Sequence, residues 1–391
     1  MGYYLQLSLS SLFSYNDYTG DRMQIQYDAI ILGAGINGVA VAKALSSTGI
    51  KVLVLEKEHI AAGASSHSSR LIHGGLRYLE TYEFSLIKEA LQDQKYLLDT
   101  YPELVKLRPF YLPIYKNARR PAWMIHIGLW LYSFFAQHGE KALEVSSDRF
   151  LQEFRNIKET DLKAVFKFFD GKTDDKALTL KVAQEAQQKG TVILGNIRLK
   201  NVFIDNTLIR LETNEGIFET NLLVNATGAW IDEINKRFDL PSSYMIEKLS
   251  GIHLVIDRVL VPEPLILETS TKRIFFIIPE SETTIIGTTE RSEEVMVDEI
   301  QINEEDIEYL LKESNNYLKT PLSHEDIKEV YIGTRPIIKS QKDPSQMSRE
   351  YKLDLHKTGK NCVLNIYGGK LTTFPSLARK TVKLLEDDYF R

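Results

Sequence analysis

Tyr27-Asp28-Ala29-Ile30-Ile31-Leu32-Gly33-Ala34-Gly35-Ile36-Asn37-Gly38 is the stretch that decides the fold. A short apolar run ending in glycine is the pattern of a buried parallel strand. A helix is expected through Ile36–Leu45, followed by Gly49 and a second apolar run, Val52-Leu53-Val54-Leu55. Together they make a βαβ unit of about 30 residues. Gly33, Gly35 and Gly38 form GxGxxG between strand and helix. Glycines there permit a tight turn and close approach to a pyrophosphate, and the helix N-terminus offers amides and a positive dipole end. Glu56, at the end of the second strand, can accept hydrogen bonds from ribose hydroxyls. The unit reads as dinucleotide-binding, and the motif alone does not choose between NAD and FAD.

Strands of this kind recur far along the chain. Strand-like stretches follow Gly190 at 191–194, 208–213 and 217–219, then Leu222-Leu223-Val224, and a last one runs from Cys362 to Tyr367. From Ile252 to Thr289 the pattern changes to short strands divided by Pro262, Pro264, Pro279 and Gly287, which suggests an antiparallel sheet. Helices are expected over 81–99, from the spacing of Phe84, Ile87, Leu91 and Leu98, and over 303–318, with Glu304, Glu305 and Asp306 in the first turn. The architecture expected is α/β, or α+β overall. A discontinuous Rossmann-like cofactor domain is interleaved with an antiparallel-sheet domain.

Composition narrows the chemistry. The 391 residues carry a formal net charge of -5, a poor basis for general nucleic-acid binding. The single cysteine, Cys362, excludes an internal disulfide, a Cys-based zinc site and a protein-ligated iron–sulfur cluster. The 8 histidines show no HExxH or comparable spacing, so no metal site is expected. Redox chemistry would have to come from an organic cofactor.

Two further segments join paired glycines to a cation: SSRLIHGGLRYLE at 68–80 and YGGKLTT at 367–373. Paired glycines let backbone amides approach a flat ligand, and a helix after Lys370 would point its N-terminus at an anionic edge. With GAGING at 33–38, RPAWMIHIGL at 120–129, NATGAW at 225–230, IIGTTE at 285–290 and GTRP at 333–336, the chain resembles one family closely. It is the FAD-dependent glycerol-3-phosphate dehydrogenases of the D-amino-acid-oxidase-like flavoprotein superfamily. The resemblance runs from Tyr27 to about Leu377.

That resemblance implies FAD as cofactor and oxidation of sn-glycerol 3-phosphate to dihydroxyacetone phosphate, with electrons leaving to a quinone. It implies that Gly33, Gly35, Asn37, Gly38, Glu56 and Lys57 hold the adenosine diphosphate half of FAD. Ser65, Ser66, Gly74, Gly75 and Leu76 would line the path from pyrophosphate to flavin. Ala226, Thr227 and Gly228 would close over the adenine side, and Gly369, Lys370, Leu371 and Thr372 would approach the pyrimidine edge of the flavin. It places Arg77, Tyr78, His253, Arg335 and Lys370 around the substrate, with His253, Arg335 and Lys370 catalytic.

Arg and Lys suit a phosphate dianion, and a histidine suits the removal of a hydroxyl proton. Each residue also has a plain structural alternative. Arg77 is equally placed to pair with Glu80, Lys370 to be a surface residue at a helix start, and His73 to be structural beside the flavin. Rival functions are an FAD oxidase or dehydrogenase of a 2-hydroxy acid or secondary amine, and a catalytically silent FAD-binding protein.

Domain boundaries are expected at 23–98, 172–238 and 357–391 for the FAD-binding domain, and at 99–171 and 239–356 for the substrate domain. Residues 1–22 read as a loose, disordered leader without targeting features. The aromatic stretch from Pro121 to Phe135, beside Arg119 and Arg120, is too short to span a bilayer. It reads either as an interfacial helix or as one packed on the core or a partner subunit. The expected location is cytoplasmic, with peripheral contact at the inner face of the membrane. Three departures from the family stand out. Ser270-Thr271-Lys272 replaces an acidic turn, Asp174–Ala177 lacks an arginine, and family members usually continue past GGKLTT with a helical domain whereas this chain ends at Arg391.

Overall fold

The computed structural model describes residues 24–76, 83–136, 139–339 and 350–390. The expected leader and the candidate substrate residues Arg77 and Tyr78 lie outside them. By contacts the chain divides into two units, 1–66, 175–248 and 335–391 in the first, and 67–174 and 249–334 in the second.

In the first unit the opening βαβ is present. Ala29–Leu32 pairs in parallel with Val52–Leu55, joined by the helix Ile36–Ser46. All four residues of each strand are buried, which accounts for their unbroken apolar character. The six-stranded sheet runs in the order Lys352–Thr358, Asn361–Tyr367, Leu222–Asn225, Ala29–Leu32, Val52–Leu55, Val192–Leu194. Only the pairing of Lys352–Thr358 with Asn361–Tyr367 is antiparallel. The first helix packs against Asp175–Gln188 and Phe374–Asp388. A four-stranded sheet of Gln24–Gln26, Ile217–Thr220, Ile209–Thr213 and Leu199–Ile204 meets the larger one through a core that includes Ile30, Leu53, Leu211, Phe218 and Leu223.

The second unit is built on a large, mainly antiparallel sheet. Ile246–Ile256, Thr284–Gly287, Ile274–Pro279 and Leu265–Glu268 pair in succession, as the proline-divided sequence suggests. The sheet continues through Lys106–Tyr115 and Leu162–Lys172, two long strands that sequence inspection passes over. Pro109 and Pro113 disguise the first of them. Tyr111 donates its amide to Pro264 O, so the nitrogens of Pro109 and Pro113, two residues to either side, aim at the same edge. On that edge only Tyr111 is paired with the neighbouring strand, so the prolines leave no ladder bond unmade.

Contacts also move the expected boundaries. Residues 67–98 group with the second unit because Leu71 and Ile72 pair with Lys172 and Gly171, while Ile87 and Leu91 share a core with Phe110 and Phe168. Residues 239–248 stay with the first unit, tied by Ser243 N to Asp354 Oδ2 at 2.8 Å and by Lys339 N to Met245 O at 2.8 Å.

Candidate cofactor and substrate site

At the first glycine turn the backbone leaves no room for side chains. Gly33 has φ of +96°, and a Cβ on it would stand 2.8 Å from Ala226 O. On Gly38 a Cβ would stand 2.0 Å from Gly33 O. Gly35 at the N-cap has no side chain to offer the helix, and Ser65 Oγ supplies that acceptor by taking the Ile36 amide at 2.9 Å. No acidic residue occupies the helix's first turn, so its positive end is left for an anion. Glu56 is half-buried and accepts from Ala34 N at 2.7 Å and Glu58 N at 2.9 Å, with lone pairs remaining on both oxygens. Lys57 Nζ sits 5.0 Å from the Trp230 ring centroid.

Ala226, Thr227 and Gly228 follow the strand Leu222–Asn225. Buried Asn225 holds this end in place, accepting from the Thr227 hydroxyl at 2.6 Å and donating to Asn235 Oδ1 at 2.8 Å. Gly228, at φ +60°, has open space where a Cβ would be.

Gly368 and Gly369 turn the chain at φ +71° and +97°. Asn37 Nδ2 donates to Gly368 O at 3.2 Å across 331 residues of sequence, and a Cβ on Gly369 would stand 2.6 Å from the same nitrogen. Asn37 therefore joins the first glycine turn to the last. Beside this junction Asn37 Oδ1 and Thr372 Oγ1 are buried without a hydrogen-bond partner. Buried polar atoms are seldom left so, and two at one glycine-lined junction fit a polar ligand. Lys370 and Arg335 are half-buried in this same unit, and Leu371 is half-buried between Lys370 and Thr372.

In the second unit the segment from Ile72 to Leu76 is buried or half-buried, with Gly75 at φ +77°. Leu76 packs on the apolar cluster around Phe110. Gly74 N is held by Tyr132 Oη at 2.8 Å and by Asp170 Oδ1 at 3.2 Å. His253 is 4% exposed. Its ring stacks on Tyr331 at 4.8 Å and 15°, and its Nε2 lies 2.8 Å from Ser69 Oγ. Gly287, opposite it in the sheet, makes the space, because a Cβ there would stand 2.5 Å from His253 Cδ2. Ser69 and Tyr331 at the histidine, and Gln94, Tyr132 and Asp170 at Gly74, are residues that sequence reasoning missed. The fold brings each to its partner from elsewhere in the chain, and of the five only Ser69 lies within a quoted motif, the segment 68–80.

The departure at Ser270–Lys272 is anchored by Glu313, which is 1% exposed and accepts from Ser270 N at 2.8 Å. The aromatic helix spans Ala122–Phe135 and turns only Leu129 and Tyr132 fully inward. Trp123 (63%), Ile127 (52%), Trp130 (61%) and Phe134 (72%) are exposed, and Trp130 stacks on Phe134 at 6.1 Å. Among the described residues no helix is long and apolar enough to cross a membrane.

Comparison with known proteins fits these features. Residues 28–384 match the family described as FAD dependent oxidoreductase. The chain is 36% identical over 373 residues to the aerobic glycerol-3-phosphate dehydrogenase of Escherichia coli (strain K12), covering 93% of this chain and 74% of that one. It is 33% identical to the D-erythritol 1-phosphate dehydrogenase of Brucella abortus (strain 2308), covering 92% and 73%. The solved glycerol-3-phosphate dehydrogenase from Bacillus halodurans, complexed with FAD, has the same fold, with a TM-score of 0.72 at 22% identity. The alignment covers 93% of this chain and spans 64% of that structure. The chain belongs to the FAD dependent oxidoreductase family, and its cofactor is FAD.

Proposed function

We propose that this protein oxidises sn-glycerol 3-phosphate to dihydroxyacetone phosphate and passes the electrons to a quinone. The observation that carries the cofactor half of this reading is the Asn37 junction. It ties the two glycine turns of one unit together and leaves two buried oxygens without partners. Gly33, Gly35 and Gly38 would admit the pyrophosphate at the helix N-terminus, and Glu56 would accept from the ribose hydroxyls. When bound, FAD supplies the hydride acceptor.

The roles of the remaining residues rest on their chemistry and on the likeness to glycerol-3-phosphate dehydrogenases. Arg335 and Lys370 bring fixed positive charge, which suits a phosphate dianion and the alkoxide that develops at the secondary alcohol. His253 takes the hydroxyl proton, with Tyr331 and Ser69 fixing its ring plane and Nε2 direction. Arg77 and Tyr78 are assigned to the substrate by the same likeness. The relative that acts on D-erythritol 1-phosphate supports a second reading, a longer polyol phosphate oxidised by the same groups.

Anaerobic titration of the purified protein, followed by flavin absorbance, tests both. sn-Glycerol 3-phosphate bleaches the flavin at lower concentration than D-erythritol 1-phosphate, and glycerol, 2-hydroxy acids and secondary amines do so poorly. Equal reduction by glycerol and its phosphate would remove the phosphate site. Arg335→Ala lowers kcat/KM at least about 100-fold, or about 2.7 kcal/mol.

The exposed stripe of Trp123, Ile127, Trp130 and Phe134, with Arg119 and Arg120 just before it, supports peripheral contact with an anionic lipid surface. Salt-sensitive sedimentation with anionic vesicles, lost in Trp130→Ser with Phe134→Ser while FAD content stays constant, is the expected result. A protein that reduces oxygen but not a quinone would replace the proposed acceptor.

A further inference from the structure

Asp170 is buried in the second unit, and burial is the largest influence on its ionisation, opposed by hydrogen bonds to its carboxylate. A single oxygen, Oδ1, takes hydrogen bonds from the Tyr132 hydroxyl at 2.8 Å, Gln94 Nε2 at 2.5 Å and Gly74 N at 3.2 Å. Gln94 Nε2 also donates to Ile72 O at 2.7 Å, so the turn is held at the carbonyl before His73 and at the amide after it. Gln94 and Tyr132 are each 1% exposed. Burying a carboxylate is unfavourable unless it is well hydrogen-bonded, and apolar residues would fill the same volume at less cost. Burial pushes the Asp170 carboxyl up to about 7, against the hydrogen bonds that pull it down.

Sterics point the same way. A Cβ on Gly74 would stand 2.2 Å from Leu91 Cδ2 and 2.5 Å from the Tyr132 hydroxyl. The turn is therefore pressed onto the network with only a glycine's clearance. Gln94 comes from the helix Phe84–Thr100, Tyr132 from the aromatic helix and Asp170 from the strand Leu162–Lys172. Three elements converge on one backbone turn.

We propose that Asp170, with Tyr132 and Gln94, is a positioning residue that sets the His73–Gly75 backbone and through it the environment of the flavin. The proposal rests on the reading that Gly74 and Gly75 line the flavin. Asp170 touches neither cofactor nor substrate in this scheme; it acts through the Gly74 amide. Tyr132→Phe removes one hydroxyl at nearly constant volume, and Asp170→Asn keeps an acceptor oxygen while removing the charge.

The experiment uses the holoenzyme. Both variants are expected to shift the flavin's visible absorption maximum and to weaken FAD binding about ten-fold, read by fluorescence quenching on reconstitution. They lower kcat about ten-fold with KM within about two-fold. Tyr115→Phe is the control. It loses a tyrosine hydroxyl bond of similar length, to Lys158 O at 3.0 Å, away from the turn, and leaves all these readouts unchanged.

A lower melting temperature in Tyr132→Phe and Asp170→Asn, with wild-type spectrum, FAD affinity and kcat, makes the network merely structural and overturns the proposal. If Asp170→Asn does not fold, Tyr132→Phe alone decides. Gly75→Ala, at φ +77°, separates the two levels. If it perturbs the flavin spectrum while Tyr132→Phe does not, positioning fails alone. If it leaves the spectrum untouched, the placement of the turn beside the flavin fails.

Discussion

Between Gly33 and Gly38 the backbone is held largely by the groups of its own βαβ unit. Gly33 N donates to Leu55 O at 2.9 Å, Glu56 takes the Ala34 amide and Ser65 takes the Ile36 amide. The turn at His73–Leu76 is held differently, by a buried carboxylate, a tyrosine hydroxyl and a glutamine amide delivered from three separate elements. The first turn is a stereochemical device: it works because glycine has no side chain. The second is an electrostatic device, whose quality depends on a carboxyl whose burial brings its titration near pH 7. A glycine-rich turn can thus be specified locally or from a distance, and the two respond to different perturbations.

Gly38→Ala gives the largest expected effect. The added methyl would meet a backbone oxygen at 2.0 Å, which no rotamer change relieves. FAD should be absent from the purified variant, measured as the ratio of flavin to protein absorbance. Retention of wild-type FAD would break the view that the first turn is purely steric.

Asp170 gives a smaller and pH-dependent effect. Its folded-state carboxyl titrates at about 7 against a reference of 3.8, so between those values the folded state keeps a proton that the unfolded state has released. The contribution of this group to stability is therefore fully present below about pH 4 and is lost as pH rises to about 7, by at most about 4 kcal/mol. Asp170→Asn does not titrate. Urea denaturation of both proteins at pH 4.5 and pH 8 should show wild type losing stability relative to the variant as pH rises. A difference that stays constant across that range would show that the carboxyl is not strained by its burial.

Ser65→Ala sharpens the comparison from the other side. It removes only the acceptor for the Ile36 amide, a loss of about 1 kcal/mol by analogy with helix capping. Chemical denaturation should register that loss, with no dependence on pH between 5 and 8. A pH-dependent loss would mean that the first turn, too, is governed by charge.

Much of the fold is legible where its signals are local. The run Ala29–Leu32 is wholly apolar because all of its residues are buried, and Glu304–Asn315 begins where Asn303 accepts from Glu305 N at 3.0 Å. Cofactor class follows from glycines whose spacing has one ready structural explanation. The long strand Lys106–Tyr115 is hidden because its prolines are tolerated only by the pairing of its edges, a property of its neighbours. The boundary at residue 67 is hidden for the same reason: Leu71 and Ile72 look like part of a cofactor loop until they meet Lys172 and Gly171.

The sequence by itself determined the βαβ unit, the glycine turns and the family, because sterics and periodicity act over a few residues. Only the tertiary structure decided which buried groups hold Gly74, which ring stacks on His253, and that the aromatic helix turns Trp123, Trp130 and Phe134 outward. Hydrogen bonds and ring contacts between distant residues depend on distances of a few ångströms, and those distances exist only once the chain has folded.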